Sequence, residues 1–308
     1  MRQSRRIVVV GSSGTDMIIR VERIPRPGET LIGGEFAMAA GGKGANQAVS
    51  AARAGGDVTF VARVGRDNFG EQSIAGFVSD GIDVQHVLRD GKAPSGIALI
   101  FVAKDGENSI AVSSGANARL TPADVRRARS VFNGAAVLIV QLESPLATVQ
   151  AAVSIAVRHG LQVILNPAPA RALPDSLLRQ VSILTPNETE AELLTGVKVN
   201  SDAAAAKASA ILRRCGVQTV ILTLGARGAF VATEGGTQLV SGFKVKAVDT
   251  TAAGDVFNGA LAVALAEQRP LQQAVRFANA AAAIAVTRLG AQPSAPSRRQ
   301  IERMLKSG

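Results

Sequence analysis

Short, continuous apolar runs recur along the chain and alternate with longer amphipathic stretches. The runs comprise residues 7–10, 58–62, 135–140, 161–165, 181–184 and 217–224. Short apolar runs without polar alternation are typical of strands that are buried on both faces, as in a parallel sheet between two helix layers. The pattern therefore predicts an α/β fold with a mainly parallel sheet sandwiched between helices.

Two β-like patches lie outside this alternation. Residues 17–21 continue in β-like fashion after Asp16, and residues 97–102 and 109–112 flank a turn at 105–108. Such patches are typical of hairpins, so they predict a small β lid beside the main sheet. The predicted division is a lid of residues 16–41 and 95–114, and an α/β nucleotide-binding core of residues 1–15, 42–94 and 115–308.

A glycine-rich segment at residues 41–48 precedes an Ala-rich stretch that is predicted to be helical to about Ala54. Glycines let the backbone approach a ligand closely, and the side chains of Lys43 and Asn46 offer donors to hydroxyl or phosphate groups. The spacing does not match the phosphate-binding pattern G-x-x-x-x-G-K-[ST], which favours a polyol as the ligand. A purely structural turn is the alternative interpretation.

Residues 249–260 carry the strongest chemical signal. Residues 244–248 alternate as in a strand, small residues at 252–254 permit a sharp turn, and a helix is predicted from 256 to about 267. Unpaired N–H groups at a helix start bind anions such as phosphate. A carboxylate with an ordinary pKa beside such a site suits a base that accepts a hydroxyl proton, which points to Asp255. A helix-capping role is the alternative.

Polar residues follow several of the predicted strands. Because ligands of parallel sheets gather at the carboxyl ends of the strands, these residues are candidates as a set. They are Glu143, Asn166, Asn187, Glu190 and the segment 223–228. Taken singly, each also has a structural interpretation: Asn187 as a helix cap, Glu143 as a solvated acid, and the glycines of 223–228 as turn residues.

The net charge of +10 raises the question of nucleic-acid binding. The basic residues come singly or in pairs, Trp and Tyr are absent and the 10 Phe lie mostly in apolar contexts, so a stacking platform is lacking and we expect no nucleic-acid partner. The apolar runs are far too short to span a bilayer, and the first residues lead into a strand. We therefore expect a soluble cytoplasmic protein with no membrane association.

The two signal segments, 41–46 and 249–260, resemble the signatures of the ribokinase-type carbohydrate kinases of the phosphofructokinase-B superfamily. Segments around Glu143, Asn166, Asn187 and Thr223 extend the resemblance over nearly the full chain. The resemblance implies phosphorylation of a sugar by ATP, with O5 of D-ribose as the expected acceptor and D-ribose 5-phosphate as product. It implies that Asp255 is the base, and that the N–H groups of Ala253, Gly254 and Asp255 form an anion hole.

The resemblance also implies ligand positions. The sugar is expected at Gly14, Thr15, Asp16, Gly42, Lys43, Gly44, Ala45, Asn46, Glu143 and Asp255. The nucleotide is expected at Asn187, Thr223, Leu224, Gly225, Ala226, Arg227, Gly228, Gly254, Asp255 and Asn279. Mg²⁺ is expected near Glu190, and K⁺ at Asp249, Thr251, Ala285, Arg288, Gly290 and Ser294. Gly14 departs from the family pattern, which usually has Asn there, and this leaves the preferred pentose open.

The lid strands of ribokinases pair across a dimer, so the resemblance implies a homodimer here. Two alternatives remain open. One is a kinase for another sugar or for a nucleoside, although the chain has no Tyr or Trp to stack on a base. The other is a non-catalytic, sugar-sensing relative, against which the presence of Gly254 and Asp255 argues.

Overall fold

The structure is a computed structural model that describes residues 6–307, and the strands in this part of the chain form two sheets. The larger sheet contains β1 (Arg6–Val10), β4 (Asp57–Gly65), β5 (Asp83–Asp90), β8 (Val137–Val140), β9 (Gln162–Leu165), β10 (Ile183–Leu184), β11 (Thr219–Thr223), β12 (Gly228–Thr233) and β13 (Gly236–Ser241). The smaller sheet contains β2 (Gly14–Val21), β3 (Glu35–Gly41), β6 (Gly96–Ala103) and β7 (Asn108–Ser113).

The larger sheet has the strand order β13-β12-β11-β10-β9-β8-β1-β4-β5. The seven strands from β11 to β5 are parallel, and β12 and β13 extend the sheet as antiparallel strands. The α/β fold class with a mainly parallel sheet is therefore confirmed. The apolar runs did not include β5, β12 or β13. Of these strands, β5 and β13 contain exposed polar residues, whereas β12 is mostly apolar and buried.

Helices cover both faces of this sheet. One layer contains α1 (Lys43–Arg53), α2 (Asn68–Ser79), α8 (Ala253–Ala266), α9 (Leu271–Ala285) and α10 (Arg298–Ser307). The other layer contains α3 (Pro122–Arg127), α4 (Leu146–Arg158), α5 (Asp175–Leu178), α6 (Glu188–Thr195) and α7 (Asp202–Arg214). Successive residues of β1 alternate between the two layers: Ile7 and Val9 pack toward α1 and α8, and Val8 and Val10 toward α4. Burial on both faces explains why the central strands read as unbroken apolar runs.

The smaller sheet has the order β3-β2-β6-β7, with β2 and β6 parallel. Its register aligns three glycines side by side, since Gly14 pairs with both Gly41 and Gly96. The sheet thus begins beside the carboxyl end of β1. The division into core and lid stays a prediction, because a lid is defined by its movement.

One predicted strand is wrong. Residues 244–248 form no strand, and Val245 and Val248 are 37% and 59% exposed. The N–H groups of Val248 and Asp249 both donate to Val286 O, so this segment is fixed by a loop contact and has no strand partner. Alternation of polar and apolar residues was misleading because both sets of side chains face solvent.

Within residues 6–307, no helix is long and apolar enough to cross a bilayer.

Candidate active site

The first turns of α1 and α8 meet at the carboxyl edge of the larger sheet. Gly259 permits this contact, because a Cβ there would lie 2.6 Å from Ser50 Cβ and 2.7 Å from Gln47 O. The close crossing brings Asn46 and Gln47 of α1 beside Asp255 of α8. Asn46 and Asp255, which are 209 residues apart in the chain, therefore belong to one site.

Asp255 is buried, and only 5% of its surface is exposed. Its Oδ2 accepts a hydrogen bond from Asn46 Nδ2 at 3.0 Å, and its Oδ1 accepts one from Gln47 Nε2 at 2.8 Å. Burial raises the pKa of Asp255 above its ordinary value, although the charge of Lys43 and the two amide donors oppose the rise. The expectation of an ordinary pKa was therefore wrong, and the raised pKa makes this carboxylate a stronger base.

The turn before α8 is held in an unusual backbone conformation. Ala252 has φ 57° and ψ 13°, a left-handed conformation that is uncommon for a residue with a side chain. The N–H of Ala253 donates to Thr250 O at 3.2 Å, so it is not free to bind an anion. The expected anion hole of three N–H groups therefore loses one of its members. No hydrogen bond from the N–H of Gly254 or Asp255 to any residue between 6 and 307 is present, which leaves two donors at the helix start.

Glu143 and the glycine-rich segment are joined by direct hydrogen bonds. Glu143 Oε2 accepts from Ser12 Oγ at 2.6 Å and from the N–H of Lys43 at 2.9 Å. Gly42 has φ 85°, and a Cβ there would lie 2.8 Å from Ser13 Cα, so no other residue fits this turn without strain. The N–H groups of Gly44 and Ala45 are directed to Ser12 Oγ and Ser12 O.

Asp16 approaches the same cluster from β2. A Cβ on Gly41 would lie 2.6 Å from both carboxylate oxygens of Asp16. Burial, followed by the charge of Glu143, raises the pKa of Asp16 to about 6 against the opposing charge of Lys43. The neighbouring Thr15 lies on the opposite face of the sheet, because successive residues of a strand alternate. Its side chain therefore lies on the face away from Asp16, and its expected role in sugar binding stays a prediction.

Lys43 is the cation at the centre of these acids. Burial lowers its pKa, but the charges of Asp255, Glu143, Glu190 and Asp16 outweigh burial and hold the pKa above its ordinary value. Lys43 is therefore charged at neutral pH. Buried side-chain atoms of Ser13 (Oγ), Asn46 (Oδ1) and Gln141 (Oε1) have no partner among the described residues. Buried polar atoms without partners indicate a site that is completed by a polar ligand.

The expected nucleotide residues lie along the next part of the sheet edge. Asn187 is the N-cap of α6, its Oδ1 accepts from the N–H of Glu190 at 2.7 Å, and Glu190 Oε2 accepts from the N–H of Asn187 at 2.9 Å. The capping alternative for Asn187 is therefore observed, and a ligand role stays a prediction. Asn187 also forms a parallel bridge with Thr223. Burial raises the pKa of Glu190, and Lys43 opposes the rise.

The segment 223–228 forms a turn with one open side. Gly225 has φ 56° and nothing within 4 Å of a Cβ, which leaves space beside the backbone. Leu224 N–H donates to Gly228 O at 2.8 Å, and the Arg227 guanidinium pairs with Glu188 and Asp202. Asn279 of α9 is buried and donates from Nδ2 to Val240 O at 2.9 Å. Ala226 lies in the same turn, and Ser241, whose carbonyl oxygen is 3.3 Å from Asn279 Nδ2, pairs with Gly228. Nucleotide binding by these residues stays a prediction.

The expected K⁺ positions are linked through Asp249. Its Oδ1 accepts from the N–H of Thr251 and its Oδ2 from the N–H of Gly290, both at 2.8 Å. Burial works to raise the pKa of Asp249, but these hydrogen bonds prevail and lower it. The loop 285–294 is closed by a bond from Arg288 N–H to Ala285 O at 3.0 Å and by Arg288 Nη1 at 3.5 Å from Ser294 O.

The described part of the chain contains no group of three or more His, Cys, Asp or Glu side chains that could hold a metal ion. The donors present are single carboxylates and backbone carbonyls. This arrangement fits Mg²⁺ that reaches the site with nucleotide phosphates, because Mg²⁺ keeps most of its waters and needs only one or two protein carboxylates. Glu190, at the start of α6, is the carboxylate that was expected near such an ion, and this role stays a prediction.

Sequence reasoning missed several buried polar residues of this site: Ser12, Gln47, Gln141, Thr185 and Asn258. Their partners are far away in sequence, so no local spacing marks them. Gln47 could have been found, because it directly follows Asn46 at the start of a predicted helix and is polar on a face that the Ala-rich pattern buries.

Comparison with known proteins extends over the whole chain. A ribokinase of Haemophilus influenzae is 46% identical over 294 residues, with 96% of each chain covered. A deoxyribokinase of Salmonella typhi is 38% identical, with 97% of this chain and 98% of the relative covered. The structure of Arabidopsis thaliana ribokinase, complexed with ribose and ATP, superposes with a TM-score of 0.92 at 33% identity and covers 97% of this chain and 98% of that chain.

Residues 4–298 match the family described as pfkB family carbohydrate kinase. The match includes both helix starts and every strand of the two sheets that the structure describes. The glycine-rich start of α1 and the buried carboxylate on α8 both lie within the matched residues, and this chain belongs to the pfkB family of carbohydrate kinases.

Proposed function

We propose that the protein transfers the γ-phosphoryl group of ATP to O5 of D-ribose. One observation supports this proposal most directly: Asn46, from the segment expected to bind the sugar, donates to Asp255 Oδ2 at 3.0 Å. The predicted sugar ligands and the predicted base are therefore in contact. Relatives of 46% and 33% identity that are ribokinases make D-ribose the first substrate to test.

Asp255 accepts the proton of the attacking hydroxyl in this proposal. A base with a raised pKa holds a proton more readily, and burial of Asp255 supplies that rise. Asp16, Glu143 and Lys43 are placed to accept from and donate to the remaining sugar hydroxyls. These contacts would position the acceptor oxygen beside Asp255, and positioning is a large part of catalysis in phosphoryl transfer.

The phosphoryl group meets the positive end of α8. The N–H groups of Gly254 and Asp255 lie in the first turn of that helix. Unpaired donors at a helix start stabilise developing negative charge. The Lys43 ammonium adds a positive charge among four acids. Mg²⁺, when bound with ATP near Glu190, supplies the charge neutralisation that allows phosphate to approach these carboxylates.

A monovalent cation is proposed beneath the same turn. The carboxylate of Asp249 already joins the turn at Thr251 to the loop at Gly290. K⁺ bound there by carbonyl oxygens of the loop 285–294 would hold the turn that carries the two N–H donors. This role needs no contact with the substrate.

The direct test is a coupled assay of ADP release with D-ribose, ATP and Mg²⁺, with the product identified by NMR as the 5-phosphate. Ribose-dependent ADP release at rates typical of kinases, about 1 to 100 s⁻¹, is expected. Ribose binding without ADP release would instead support the non-catalytic alternative and overturn the proposal.

A second substrate is favoured by one comparison, the 38% identity to a deoxyribokinase. Gly14 lacks an amide that could contact a sugar hydroxyl. A sugar with one hydroxyl fewer would therefore lose less binding free energy at this position than ribose. Parallel assays with 2-deoxy-D-ribose distinguish the two. A kcat/KM for deoxyribose that exceeds the value for ribose would assign the protein to the deoxy sugar.

We also propose a homodimer formed by the smaller sheet. In register, the face opposite Asp16 carries large apolar side chains that include Met17, Ile19, Phe36, Met38, Leu99 and Phe101. Phe36 and Met38 are 63% and 54% exposed. A second copy that packs on this face would bury them. Met38→Asp is expected to yield monomers in sedimentation, and Val157→Asp, at an exposed apolar position of α4, is the matched control.

The remaining parts of this proposal rest on the sequence. We propose that the smaller sheet covers the sugar as a lid, and that the protein acts in the cytoplasm. Its expected lack of nucleic-acid and membrane partners stays a prediction.

A further inference from the structure

A chain of buried amide and hydroxyl groups lies behind Asp255. Gln47 is its centre: Nε2 donates to Asp255 Oδ1 at 2.8 Å and to Asn166 Oδ1 at 3.0 Å. Its Oε1 accepts from Gln141 Nε2 at 2.6 Å. Both hydrogens of the amide nitrogen and the carbonyl oxygen are thus used, and the side chain is fully buried.

The chain continues from Asn166 to α8. Asn166 Nδ2 donates to Thr185 O at 3.2 Å, and Thr185 Oγ1 donates to Asn258 Oδ1 at 2.7 Å. Asn258 Nδ2 then donates to Gly254 O at 2.8 Å. The network therefore begins at the carboxylate of the proposed base and ends at the turn that carries the two free N–H donors.

We propose that Gln47 is a positioning residue for phosphoryl transfer: through this network it fixes the Asp255 carboxylate relative to the turn at Gly254. The inference rests on the proposed function. Gln47 needs no contact with either substrate. One of its two amide hydrogens bonds to Asp255 Oδ1 while Asn46 Nδ2 donates to Oδ2, and rotation of the carboxylate would break both bonds.

The geometry excludes a purely space-filling role for Gln47. A buried apolar side chain of the same size would leave Asn166 Oδ1 and Gln141 Nε2 without these partners, at a cost in stability. The cost of leaving Asn166 and Gln141 unpaired explains a polar side chain at position 47, but it does not explain why that side chain also donates to Asp255 Oδ1. The donor matters because it favours the ionised form of the base, in opposition to burial.

Several charged groups face Asp255 and contribute to its titration. They are Lys43 of α1, Glu143 after β8, Asp16 of β2 and Glu190 of α6. None of them is altered by a change at Gln47. A shift in the pH profile of a Gln47 variant therefore reports on the lost hydrogen bond.

The experiment compares Gln47→Met with wild type in the ribose-dependent ADP assay between pH 5 and 9. Loss of one hydrogen bond to a charged group is expected to lower kcat about 10- to 100-fold. The KM for ribose is expected to change less than about threefold, because the sugar ligands are retained. The acid limb of the kcat profile is expected to move up by about one pH unit.

Thr148→Val is the matched control, because Thr148 is fully buried and its Oγ1 donates to Leu120 O at 2.6 Å, remote from the site. It is expected to lower thermal stability and leave the pH profile unchanged. A folded Gln47→Met protein with wild-type kcat and an unmoved acid limb would overturn the inference.

Two further results are decisive. If Gln47→Met does not fold, Gln47→Asn decides, since it adds no charge and keeps an amide but withdraws that amide from Asp255 Oδ1: a fall in kcat with an upward shift of the acid limb supports the inference, and wild-type kinetics overturn it. If wild type itself releases no ADP with any pentose, the proposed function fails, and an inference about its base fails with it. An active wild type with an unaffected Gln47→Met variant separates the two cases.

Discussion

The two ends of the proposed active site are built differently. Asp255 lies between α1 and α8 within the layers of the larger sheet, 5% exposed and bound by two amides. Asp16 lies on β2, a strand whose residues are half-buried or exposed, in a sheet that exposes large apolar side chains. The proposed proton acceptor is thus packed between two helices, whereas Asp16, one of the proposed sugar ligands, lies in the more exposed sheet.

From this contrast we expect kcat to depend mainly on the region around Asp255 and KM for the sugar mainly on the region around Asp16. Changes around Asp255 are expected to alter the transition state, and changes around Asp16 to alter binding that is equal in ground and transition states. The predictions below test this division, beginning with the largest expected effect.

Asp255→Asn is expected to lower kcat about 10²- to 10⁴-fold and to leave ATP affinity nearly unchanged. The change removes the base and keeps its size, although one amide donor from Asn46 or Gln47 then faces an NH₂ group. Single-turnover kinetics and ATP titration provide the measurement. A variant that retains more than about a tenth of wild-type kcat would contradict the assignment of the base.

Asp16→Asn is expected to raise the KM for ribose about 10- to 100-fold with a smaller effect on kcat. The sign of the pH dependence follows from the pKa of about 6. Above that pH the carboxylate is ionised and accepts from sugar hydroxyls, and below it a proton blocks acceptance. The wild-type KM should therefore rise as pH falls through about 6, and the variant should lack this rise. A flat wild-type KM between pH 5 and 8 would contradict the prediction.

Potassium is expected to raise kcat several-fold at fixed Mg²⁺ and ATP, since a cation beneath the turn would fix the donors of Gly254 and Asp255. The measurement is a K⁺ titration in Tris, with choline chloride holding the ionic strength constant. Asp249→Asn should weaken the response, because one of the bonds to Thr251 and Gly290 is lost. A flat titration would show that this chain lacks the cation site.

Gly14→Asn is expected to have the smallest effect, a several-fold lower KM for ribose with kcat little changed. The added amide would contact a sugar hydroxyl. The structure introduces an opposing factor, because a Cβ at Gly14 would lie 3.0 Å from Gly96 O. Gly14→Ala isolates this crowding. If Gly14→Asn does not lower the KM below that of Gly14→Ala, the amide makes no contact and ribose becomes a weaker choice of substrate.

The central part of the fold could be predicted because burial on both faces leaves a direct record in the sequence. Residues 135–140 and 161–165 contain almost only apolar side chains, and both form central strands. Residues 244–248 have an equally regular pattern and form no strand. Alternation reports which side chains could share a face, whereas strand formation also requires a partner with free backbone groups.

The candidate site was predictable only where its residues lie within short motifs. Asn46 and Asp255 each belong to such a motif, and the structure brings them into contact. The partnership of Gln47 with Asn166 and Gln141 depends on the crossing of elements that lie far apart in the chain. The raised pKa of Asp255 has the same origin, because burial is a property of the packed layers.

The close crossing of α1 and α8 at Gly259 also limits how this enzyme family member could be re-engineered. Asn46, expected to bind sugar, and Gln47, proposed to position the base, are consecutive residues of one helix that packs on the helix of the base. A substitution on α1 chosen to accept a new sugar would therefore disturb the base as well. Redesign of substrate preference is better directed to β2 and its neighbours, because the side-chain hydrogen bonds to Asp255 within residues 6–307 come from α1.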